Sequence, residues 1–562
     1  MRIVTPSQMR EIEDRCEQIG ISKKRLMENA GRALAEMIDG YCRRDPSVPP
    51  EEKRIVFLAG AGNNGGDCFA AADILIMQGY RVTIINVGGM PKTQLAKEMY
   101  NRLPEDMAMF IRGFKDEDFA AEMENAELDF MTDPSQTDDE NSQLSEILRN
   151  EDLRKRYIYN AVTSAYVLVD GVFGTGYHGS LDEETAEIFS IKTSAYRIAV
   201  DVASGGNSTN GTADSRAFRA DETITFGFMK SGMTQYPLRT LCGRVTVADI
   251  GIPNRAAVII DGQHEYSLTG HAQLGGFPFE RAADSHKGTF GTVLIIAGSS
   301  SMRGAAAMSS LGALRSGAGL VKLASVEKCI DTVSVTVPEA TFLELECDDY
   351  GYMLYDPSIE PLREAMSRAK AIVIGCGMGV TTDTRELTKF VVQNAEVPVI
   401  IDADGINCIV GDIDILMKRQ SDVILTPHPA EMARLSGCAT ADVVGSRFDA
   451  AEVFAEKYDA TVVLKGAGTV IADRRRTSVN HTGNAGMSVG GSGDVLAGMI
   501  GAIAAQGIMP FESACAGAYL HGLAGDIAAE KYGQESMLPR DIISCLPEAF
   551  TALRGKLKAR EI

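Results

Sequence analysis

The sequence has 562 residues, of which 45% are hydrophobic, and its formal net charge is −21 at neutral pH. A chain of this length buries more than one core, so at least two domains are expected. The acidic balance argues against a nucleic-acid partner, which normally meets a basic protein face, and leaves anionic ligands to local backbone N–H groups and a few cations.

Cysteine usage and hydropathy indicate the compartment. The eleven cysteines form no CxxC pair and are expected to be free thiols of a reducing cytoplasm. The N-terminal residues lack the apolar segment of a secretion signal. No apolar run approaches the roughly 20 residues of a membrane-spanning helix. We expect a cytoplasmic protein with neither a membrane nor a nucleic-acid partner, and a homo-oligomer.

The first elements predict two helices within residues 5–39, followed by a βαβ unit. Its strands are expected at Arg54–Ala59 and Tyr80–Val87, with a helix at Phe69–Met77 between them. The glycine-rich loop 60–67 (GAGNNGGD) then lies at the carboxyl end of the first strand, where such units bind ligands. The glycine spacing does not match the dinucleotide fingerprint, so ordinary NAD-dependent dehydrogenase chemistry is disfavoured. The polar loop suits a ribose, a phosphate or a cation instead.

An acidic stretch at about residues 113–160 interrupts this pattern and is predicted to be an inserted, partly disordered loop or lid. Beyond it, predicted strands at Tyr166–Asp170 and Arg197–Asp201 both end in aspartate, and each is followed by small residues. Strand-end carboxylates line the crevice of a doubly wound sheet, so a binding site is expected here. Later strands are predicted at Thr223–Phe226 and Val245–Val247.

A boundary is predicted between about Ile250 and Lys287, where prolines and glycines interrupt regular patterns. The domains are then residues 1–255 and 256–562, both of the α/β class. The second domain is predicted to contain strands at Thr292–Ala297, Leu320–Ala324, Ala371–Gly375, Val397–Asp404, Val423–Pro427 and Thr461–Lys465. Helices are predicted at Gly304–Ser316, Val495–Gln506, Pro510–Lys531 and Arg540–Lys556.

The loop Gly490–Asp494 is the strongest candidate for catalysis. Three glycines in four residues precede an apolar helix, whose free N–H groups and positive dipole end suit a phosphate. Asp494 would repel phosphate, and its expected role is to take a proton from a hydroxyl that attacks phosphorus. The alternative is a helix start in which Asp494 is only a favourable cap.

Three other segments of this half could join such a site. The loop Lys465–Thr469 follows a strand and could hold the phosphates of a nucleotide, although Lys465 could also be an ordinary surface lysine. His428 stands between two prolines that restrict its backbone, which suits a substrate contact. Asp402 and Asp404 end a predicted strand, and one or both could lie near magnesium phosphate.

Taken together, the motifs of both halves resemble those of a known family, the bifunctional NAD(P)H-hydrate repair enzymes. GAGNNGGD, DGVFGTGYHG, VDVASG and ADETITFG resemble the N-terminal epimerase domain of this family. HKGTFGTVLIIAGSSSMRGAAAMSSLGALRSGAGLV, GCGMG, DADGIN, LTPHPAEMARL, KGAGT and NAGMSVGGSGDVLAGMIGA resemble its C-terminal dehydratase domain. The resemblance covers nearly the whole chain and implies a Rossmann-like, doubly wound epimerase domain fused to a ribokinase-like dehydratase domain.

The resemblance implies that the N-terminal domain interconverts the R and S epimers of hydrated NADH and NADPH (NADHX and NADPHX). It assigns a potassium ion to Asn64, Asp170 and Ser204. It assigns the hydrated dinucleotide to Asn63, Asn64, Gly65, Gly66, Asp67, Gly174, Thr175, Gly176, Tyr177, His178, Gly179, Ser180 and Asp201. We expect Asp201 to transfer a proton as the C6 centre is inverted.

For the C-terminal domain, the resemblance implies dehydration of the S epimer, through phosphorylation of the C6 hydroxyl and expulsion of phosphate. Asp494 would be the base. The dinucleotide would contact Ala305, Gly377 or Gly379, His428 and Asp494, and the nucleotide would contact Lys465, Gly466, Ala467, Gly468, Thr469 and Gly493. Bacterial and archaeal members commonly use ADP and eukaryotic ones ATP. Because the chain carries both domains and no recognisable targeting peptide, it resembles the bacterial and archaeal members. We therefore expect ADP, with ATP as the alternative, and Mg²⁺ beside the nucleotide.

The chain departs from the family pattern near the N-terminal site. Cys68 replaces the usual glycine after GNNGGD, so the helix start must accept a side chain, and Val202-Ala203 replaces the usual Ile-Pro before Ser204. Ala430 replaces the usual glycine after His428-Pro429. The alternative reading is a ribokinase-like kinase of a small alcohol or vitamin precursor, with a non-catalytic N-terminal binding domain.

Overall fold

The computed structural model of the chain describes residues 1–103, 109–111, 151–258, 264–274 and 281–559. Contacts divide the chain into two compact units, Ile3–Ile259 and Met1–Arg2 with Ile260–Ile562. Both units are of the predicted α/β class. Residues 113–150 of the predicted acidic insertion lie outside the described residues. From Glu151 the chain is helical rather than a loop.

A parallel sheet forms the centre of the N-terminal unit. Its strands are β2 (Arg54–Ala59), β3 (Arg81–Asn86), β4 (Met109–Ile111), β5 (Val167–Gly171), β6 (Tyr196–Val200), β7 (Glu222–Phe226) and β9 (Arg244–Ala248). β1 (Ile3–Val4) and β8 (Met229–Lys230) form a separate parallel pair. The spatial order in the sheet is β4-β3-β2-β5-β6-β7-β9. The order reverses between β2 and β5, which is where open α/β sheets place their ligands.

Helices cover both faces of this sheet. They are α1 (Pro6–Gln18), α2 (Lys23–Cys42), α3 (Asn63–Met77), α4 (Gln94–Tyr100), α5 (Glu151–Thr163), α6 (Glu183–Ser190) and α7 (Leu238–Leu241). Alternate residues of β2 point to opposite faces. Phe57 joins a core with Phe69 of α3, whereas Leu58 joins a second core with Ile158 of α5. The unit is therefore doubly wound, and its central strand is apolar on both sides.

The C-terminal unit contains a larger, mostly parallel sheet. Its strands are β10 (Glu265–Leu268), β11 (Thr292–Ile296), β12 (Leu320–Val326), β13 (Thr341–Leu345), β14 (Ala371–Ile374), β15 (Val399–Ile401), β16 (Val423–Leu425), β17 (Thr461–Leu464), β18 (Val470–Ala472) and β19 (Arg476–Val479). The spatial order is β10-β19-β18-β17-β16-β15-β14-β11-β12-β13. The antiparallel pairings of β18 with β17 and β19 were not predicted from the sequence.

The helices of this unit are α8 (His271–Leu274), α9 (Arg303–Arg315), α10 (Glu327–Thr336), α11 (Ile359–Ser367), α12 (Thr382–Asn394), α13 (Ala403–Ile409), α14 (Pro429–Ser436), α15 (Thr440–Gly445), α16 (Arg447–Tyr458), α17 (Ser492–Ala505), α18 (Pro510–Tyr532) and α19 (Pro539–Ala559). α9 and α17 pack backbone to backbone. A Cβ at Gly498 would lie 2.0 Å from the Ser309 carbonyl oxygen. The small residues of α17 therefore allow this helix to lie directly against α9, and this packing fixes where the loop before α17 ends.

Several predicted boundaries differ from the structure. α3 begins at Asn63 rather than Phe69, and α17 begins at Ser492 rather than Val495. β15 ends at Ile401, so Asp404 lies in the first turn of α13 and not at a strand end. In each case polar or glycine residues form the first helical turn, which an apolar pattern does not reveal. Among the described residues, no helix has the length and apolarity to cross a membrane.

Candidate active sites

The N-terminal unit has a cavity of about 650 Å³ at the carboxyl ends of β2, β5 and β6. The predicted residues that line it are Asn63, Asn64, Asp67, Gly174, Thr175, Gly176, Tyr177 and Asp201. Predicted residues Gly65, Gly66, His178, Gly179 and Ser180 are not among its lining residues. A cavity of this volume is in the range of small-molecule and cofactor sites.

Gly65 and Gly66 are buried in the start of α3. A Cβ at Gly65 would lie 1.9 Å from the carbonyl oxygen of Gly60, and one at Gly66 would lie 2.9 Å from the side chain of Met27. These two glycines allow α3 to approach the loop after β2 and the helix α2. Their role in the structure is close packing, which brings Asn63, Asn64 and Asp67 to the cavity.

Asp201 is held in an unusual backbone conformation at the end of β6. Its φ is 63°, a region that non-glycine residues seldom adopt. Its carboxylate forms an ion pair with the buried Lys230 and accepts hydrogen bonds from the Thr225 hydroxyl (3.0 Å) and the Phe226 amide (3.3 Å). Backbone strain supported by several such contacts is characteristic of functional positions.

Lys230 is the last residue of β8, and it was not identified as a site residue from the sequence. Its ammonium also donates to the Thr225 hydroxyl (3.0 Å) and the Phe226 carbonyl (3.1 Å). Sequence alone gave no signal for it, because Asp201 lies 29 residues earlier. The ion pair fixes the position of the Asp201 side chain at the cavity wall.

Besides Asp201, and Asp182 which caps α6, the cavity is lined by two carboxyls, Asp67 of α3 and Glu13 of α1. Within the described part of the chain, neither makes a hydrogen bond or a close ion pair. Burial, then Asp201 and Glu13, raise the pKa of Asp67 well above its ordinary value. Burial, then the charge of Asp201, raise the pKa of Glu13. The cavity thus combines a fixed carboxylate with carboxyls that hold protons more readily.

The three predicted potassium ligands lie around the backbone of Phe173. Asn64 donates from its amide to the carbonyls of Phe173 and Val200, both at 3.1 Å. The Ser204 hydroxyl contacts the Phe173 amide (2.8 Å) and carbonyl (3.2 Å). Burial raises the pKa of Asp170 to about 6, although its carboxyl accepts from the Ser204 amide at 2.8 Å. Amide, hydroxyl, carbonyl and carboxyl oxygens in one cluster fit a hard monovalent cation.

The departures from the family pattern are accommodated by packing. Cys68 is fully buried, and a Cβ at Gly171 would lie 2.1 Å from its sulfur. Val202 and Ala203 are also buried. The Cys68 thiol therefore fills the space that Gly171 leaves open.

In the C-terminal unit, Asp494 lies in the first turn of α17 rather than in the loop before it. Gly491 caps the helix with φ 100°, and Ser492 begins it. Burial, then the charge of Asp402, raise the pKa of Asp494 to about 6. A carboxyl with such a pKa is ionised near neutral pH yet basic enough to accept a proton.

An ion-pair cluster lies beside Asp494. The Lys465 ammonium donates to the buried Asp402 carboxylate at 2.7 Å and lies 4.0 Å from Glu431. The Cys376 thiol and the carboxylates of Asp402 and Asp494 lie within 4.8 Å of one another. Lys465 is therefore not an ordinary surface lysine.

The open side of Gly493 faces this cluster. A Cβ there would lie 3.3 Å from the Lys465 ammonium and 3.7 Å from the Asp402 carboxylate. An anion placed against the Gly493 amide would meet both the N-terminus of α17 and a cation. The geometry suits a phosphoryl group.

Gly377 and Gly379 follow the carboxyl end of β14, His428 follows that of β16, and Ala305 lies in the first turn of α9. A Cβ at Gly377 would lie 2.8 Å from the Ala305 side chain, and the Gly379 amide donates to Asp404 at 2.9 Å. His428 caps α14: its Nδ1 accepts from the Ala430 amide at 3.1 Å, and its side chain is 48% exposed. Burial, then the charge of Lys465, lower the pKa of His428, so the ring is neutral at physiological pH.

Two supporting residues were missed in the sequence. Arg447 of α16 donates to the carbonyls of Ala467 (2.6 Å) and Leu464 (2.9 Å), and so braces the loop after β17. His521 of α18 lies 3.4 Å from the Ser492 hydroxyl, and burial lowers its pKa to about 4. Neither stands in a motif, and only the helix packing brings them to the loops.

Comparisons with known proteins cover both units. A family model described as NAD(P)H-hydrate dehydratase matches residues 293–548, and one described as YjeF-related protein N-terminus matches residues 23–232. The bifunctional NAD(P)H-hydrate repair enzyme Nnr of Moorella thermoacetica is 33% identical over 538 residues, covering 95% of this chain and 93% of its own. The protein of that name from Escherichia coli K12 is 30% identical over 532 residues, covering 94% and 90%.

Among solved structures, an ADP/ATP-dependent NAD(P)H-hydrate dehydratase from Bacillus subtilis, co-crystallised with ATP and Mg²⁺, is 30% identical. The match covers 51% of this chain and 98% of the solved chain, with a TM-score of 0.44.

Proposed function

The chain belongs to the family of bifunctional NAD(P)H-hydrate repair enzymes, and we propose that it restores hydrated NADH and NADPH to the intact cofactors. The N-terminal unit interconverts the R and S epimers of NADHX and NADPHX. The C-terminal unit dehydrates the S epimer at the expense of ADP. The observation that carries the proposal is Asp494, a carboxyl with a raised pKa at a helix N-terminus beside Lys465.

Dehydration needs a better leaving group than hydroxide. Asp494 takes the proton of the C6 hydroxyl as the hydroxyl oxygen attacks the terminal phosphorus of the nucleotide. The amides of Gly491–Gly493 and the Lys465 ammonium balance the charge that develops on the phosphoryl oxygens. Expulsion of phosphate then restores the double bond of the nicotinamide ring. Asp402 positions Lys465 through its ion pair.

The nucleotide and its metal are assigned to the same edge of the sheet. The loop Lys465–Thr469, braced by Arg447, holds the nucleotide, and ADP is the phosphoryl donor that we propose. Asp402 is the carboxylate we expect near Mg²⁺, which typically uses one or two carboxylates beside substrate phosphates and neutralises their charge. The Cys376 thiol is a poor ligand for this hard cation.

In the N-terminal unit, Asn63, Asp67 and the cavity-lining residues 174–177 bind the hydrated dinucleotide, and Asp201 transfers a proton during inversion at C6. Asn64, Asp170 and Ser204 would hold a potassium ion, which would neutralise Asp170 and fix the loop after β6. The oxygen atoms gathered around Phe173 support this assignment. The eleven unpaired cysteines support a reducing, cytoplasmic setting.

The two activities are tested separately on the whole chain. S-NADHX with ADP and Mg²⁺ should regain the absorbance of the dihydronicotinamide ring, and R-NADHX without nucleotide should convert to the S epimer faster than in enzyme-free buffer. Exchanging potassium for sodium should slow only the second reaction. A stable phosphate ester of a small alcohol, without recovery of NADH, would instead establish a kinase.

A further inference from the structure

The epimerase cavity contains more acid–base chemistry than Asp201 alone provides. Inversion at C6 replaces the hydroxyl on one face of the ring by a hydroxyl on the other. A carbon bonded to both nitrogen and a hydroxyl does this most readily by losing the hydroxyl as water and regaining water on the opposite face. The reaction therefore needs one group that donates a proton and one that accepts a proton.

Asp201 has the properties of the acceptor. Lys230 is ion-paired to it, and the Thr225 hydroxyl and Phe226 amide both donate to it. All three contacts are made to its carboxylate, which is therefore fixed in place as an acceptor. In this arrangement we assign the proton donor to another residue.

Glu13 is suited to be that donor. It lines the cavity from α1, whereas Asp201 lies at the end of β6, so separate elements carry the two carboxyls. Glu13 makes no hydrogen bond to the described residues that would hold it ionised. Burial, and then the charge of Asp201, favour a protonated Glu13, whereas the charges of Lys230 and Lys23 oppose this. Asp67 is more tightly enclosed and holds its proton more strongly.

We propose that Glu13 is the second proton-transfer group of the epimerase centre and acts together with Asp201. This inference rests on the proposed epimerase function. Glu13 lies outside residues 23–232, which the N-terminal family model matches.

Glu13 gives its proton to the C6 hydroxyl, and the C6–O bond breaks with its electron pair leaving on water. The lone pair of the ring nitrogen compensates the electron-poor C6. A water molecule adds to the opposite face and gives a proton to Asp201. Glu13 ends ionised and Asp201 protonated, which is the state that catalyses the reverse direction, and exchange with solvent resets the pair.

The test is Glu13→Gln in the full chain, with Glu17→Gln as the matched control. Glu17 lies one turn further along α1 and is exposed. R-NADHX is supplied without nucleotide, so that dehydration cannot run, and its conversion to the S epimer is followed by chromatography after subtraction of the enzyme-free rate. We expect Glu13→Gln to lower kcat by about 10²–10⁴-fold, with KM changed little, since only proton transfer is lost.

Three further measurements separate catalysis from damage to the fold. Glu13→Gln should retain native dehydration of S-NADHX with ADP, and Glu13→Asp should restore part of the epimerase rate. The pH profile of kcat/KM should lose the limb that reports the protonated donor. The charged groups of the cavity wall are Arg10, Glu13, Lys23, Asp67, Lys92, Asp182, Asp201 and Lys230, and Asp14 of α1 also acts on Glu13. The control should match the native chain in every assay.

A Glu13→Gln rate within a few-fold of the native rate would overturn this inference and leave the proposed function intact. If the native chain itself failed to epimerise above the enzyme-free rate, both would be overturned.

Discussion

Replacing Asp494 with asparagine should abolish dehydration and, at the same time, stabilise the C-terminal unit. The side chain keeps its shape but loses the capacity to accept a proton. Loss of a general base costs about 10²–10⁴ in rate, which is about 3–5 kcal/mol of transition-state stabilisation. Binding of ADP should persist, because the Lys465–Asp402 ion pair and the amides of α17 are untouched.

The stabilisation follows from the pKa of Asp494, which is raised from 3.8 to about 6 by burial and by Asp402. Above about pH 6 the native state keeps this carboxyl charged at a cost that the unfolded chain does not have. A pKa shift of about two units corresponds to a destabilisation of the native state by at most about 3 kcal/mol. The partial exposure of Asp494 reduces this destabilisation. Asp494→Asn should thus gain about 1–3 kcal/mol at neutral pH. The gain should shrink as the pH falls through about 6 and vanish below about pH 3, where Asp494 is protonated in both the native and the unfolded chain.

The assay combines turnover, ADP calorimetry and thermal unfolding at several pH values, with the exposed Asp422→Asn as a control in the same unit. In the native chain, the dehydration rate should fall about tenfold for each unit below about pH 6, as the base becomes protonated. Turnover of Asp494→Asn within tenfold of native would refute the assignment of the base. A lower melting temperature at neutral pH would refute the electrostatic argument.

Three further substitutions probe separate features. Asp201→Asn should abolish epimerisation and leave dehydration of S-NADHX intact; unchanged epimerisation would remove Asp201 from the mechanism. Gly493→Ala places a methyl group 3.3 Å from the Lys465 ammonium, where it would occupy the space proposed for the phosphoryl group. The rate of ADP-dependent dehydration should drop at least about tenfold, whereas native kinetics would show that the phosphoryl group binds elsewhere. Cys68→Gly removes the buried thiol that packs against Gly171 and puts a glycine inside α3. Denaturant unfolding should show that the free energy of unfolding falls by about 1–3 kcal/mol; an unchanged midpoint would show that the neighbouring residues fill the space left by the thiol.

The sequence predicted the central strands of both sheets and the loops at their ends, because these signals are local, but it did not predict β4, β10, β13, β18 or β19. Buried parallel strands are apolar throughout, and a glycine or polar loop follows each one. Asp170, Asp201, Asn64 and Lys465 could therefore be located at the carboxyl edges of two sheets. The first helical turns at Asn63 and Ser492 were missed, because their glycines and polar residues resemble loop residues.

The residues that set the electrostatics of each site could not be predicted in this way. Glu13 and Lys230 meet Asp201 only through the packing of α1 and β8 against the sheet. The partner of Lys465 is Asp402, 63 residues away, and the ion pair exists only because β15, β16 and β17 are adjacent. Such pairs have no fixed spacing along the chain, and tertiary structure alone determines them.

The two units have the same electrostatic arrangement although their sequences are unrelated. In each, a lysine is ion-paired to one carboxylate, Asp201 in the first unit and Asp402 in the second, while a neighbouring carboxyl has a raised pKa. Environments that separate the pKa values of neighbouring acids allow one carboxyl to stay charged while the other exchanges protons near neutral pH. Epimerisation needs such a donor and acceptor together. Phosphorylation needs the exchanging carboxyl as its base and the paired lysine near the phosphoryl oxygens, so one arrangement serves two different reactions of the C6 hydroxyl.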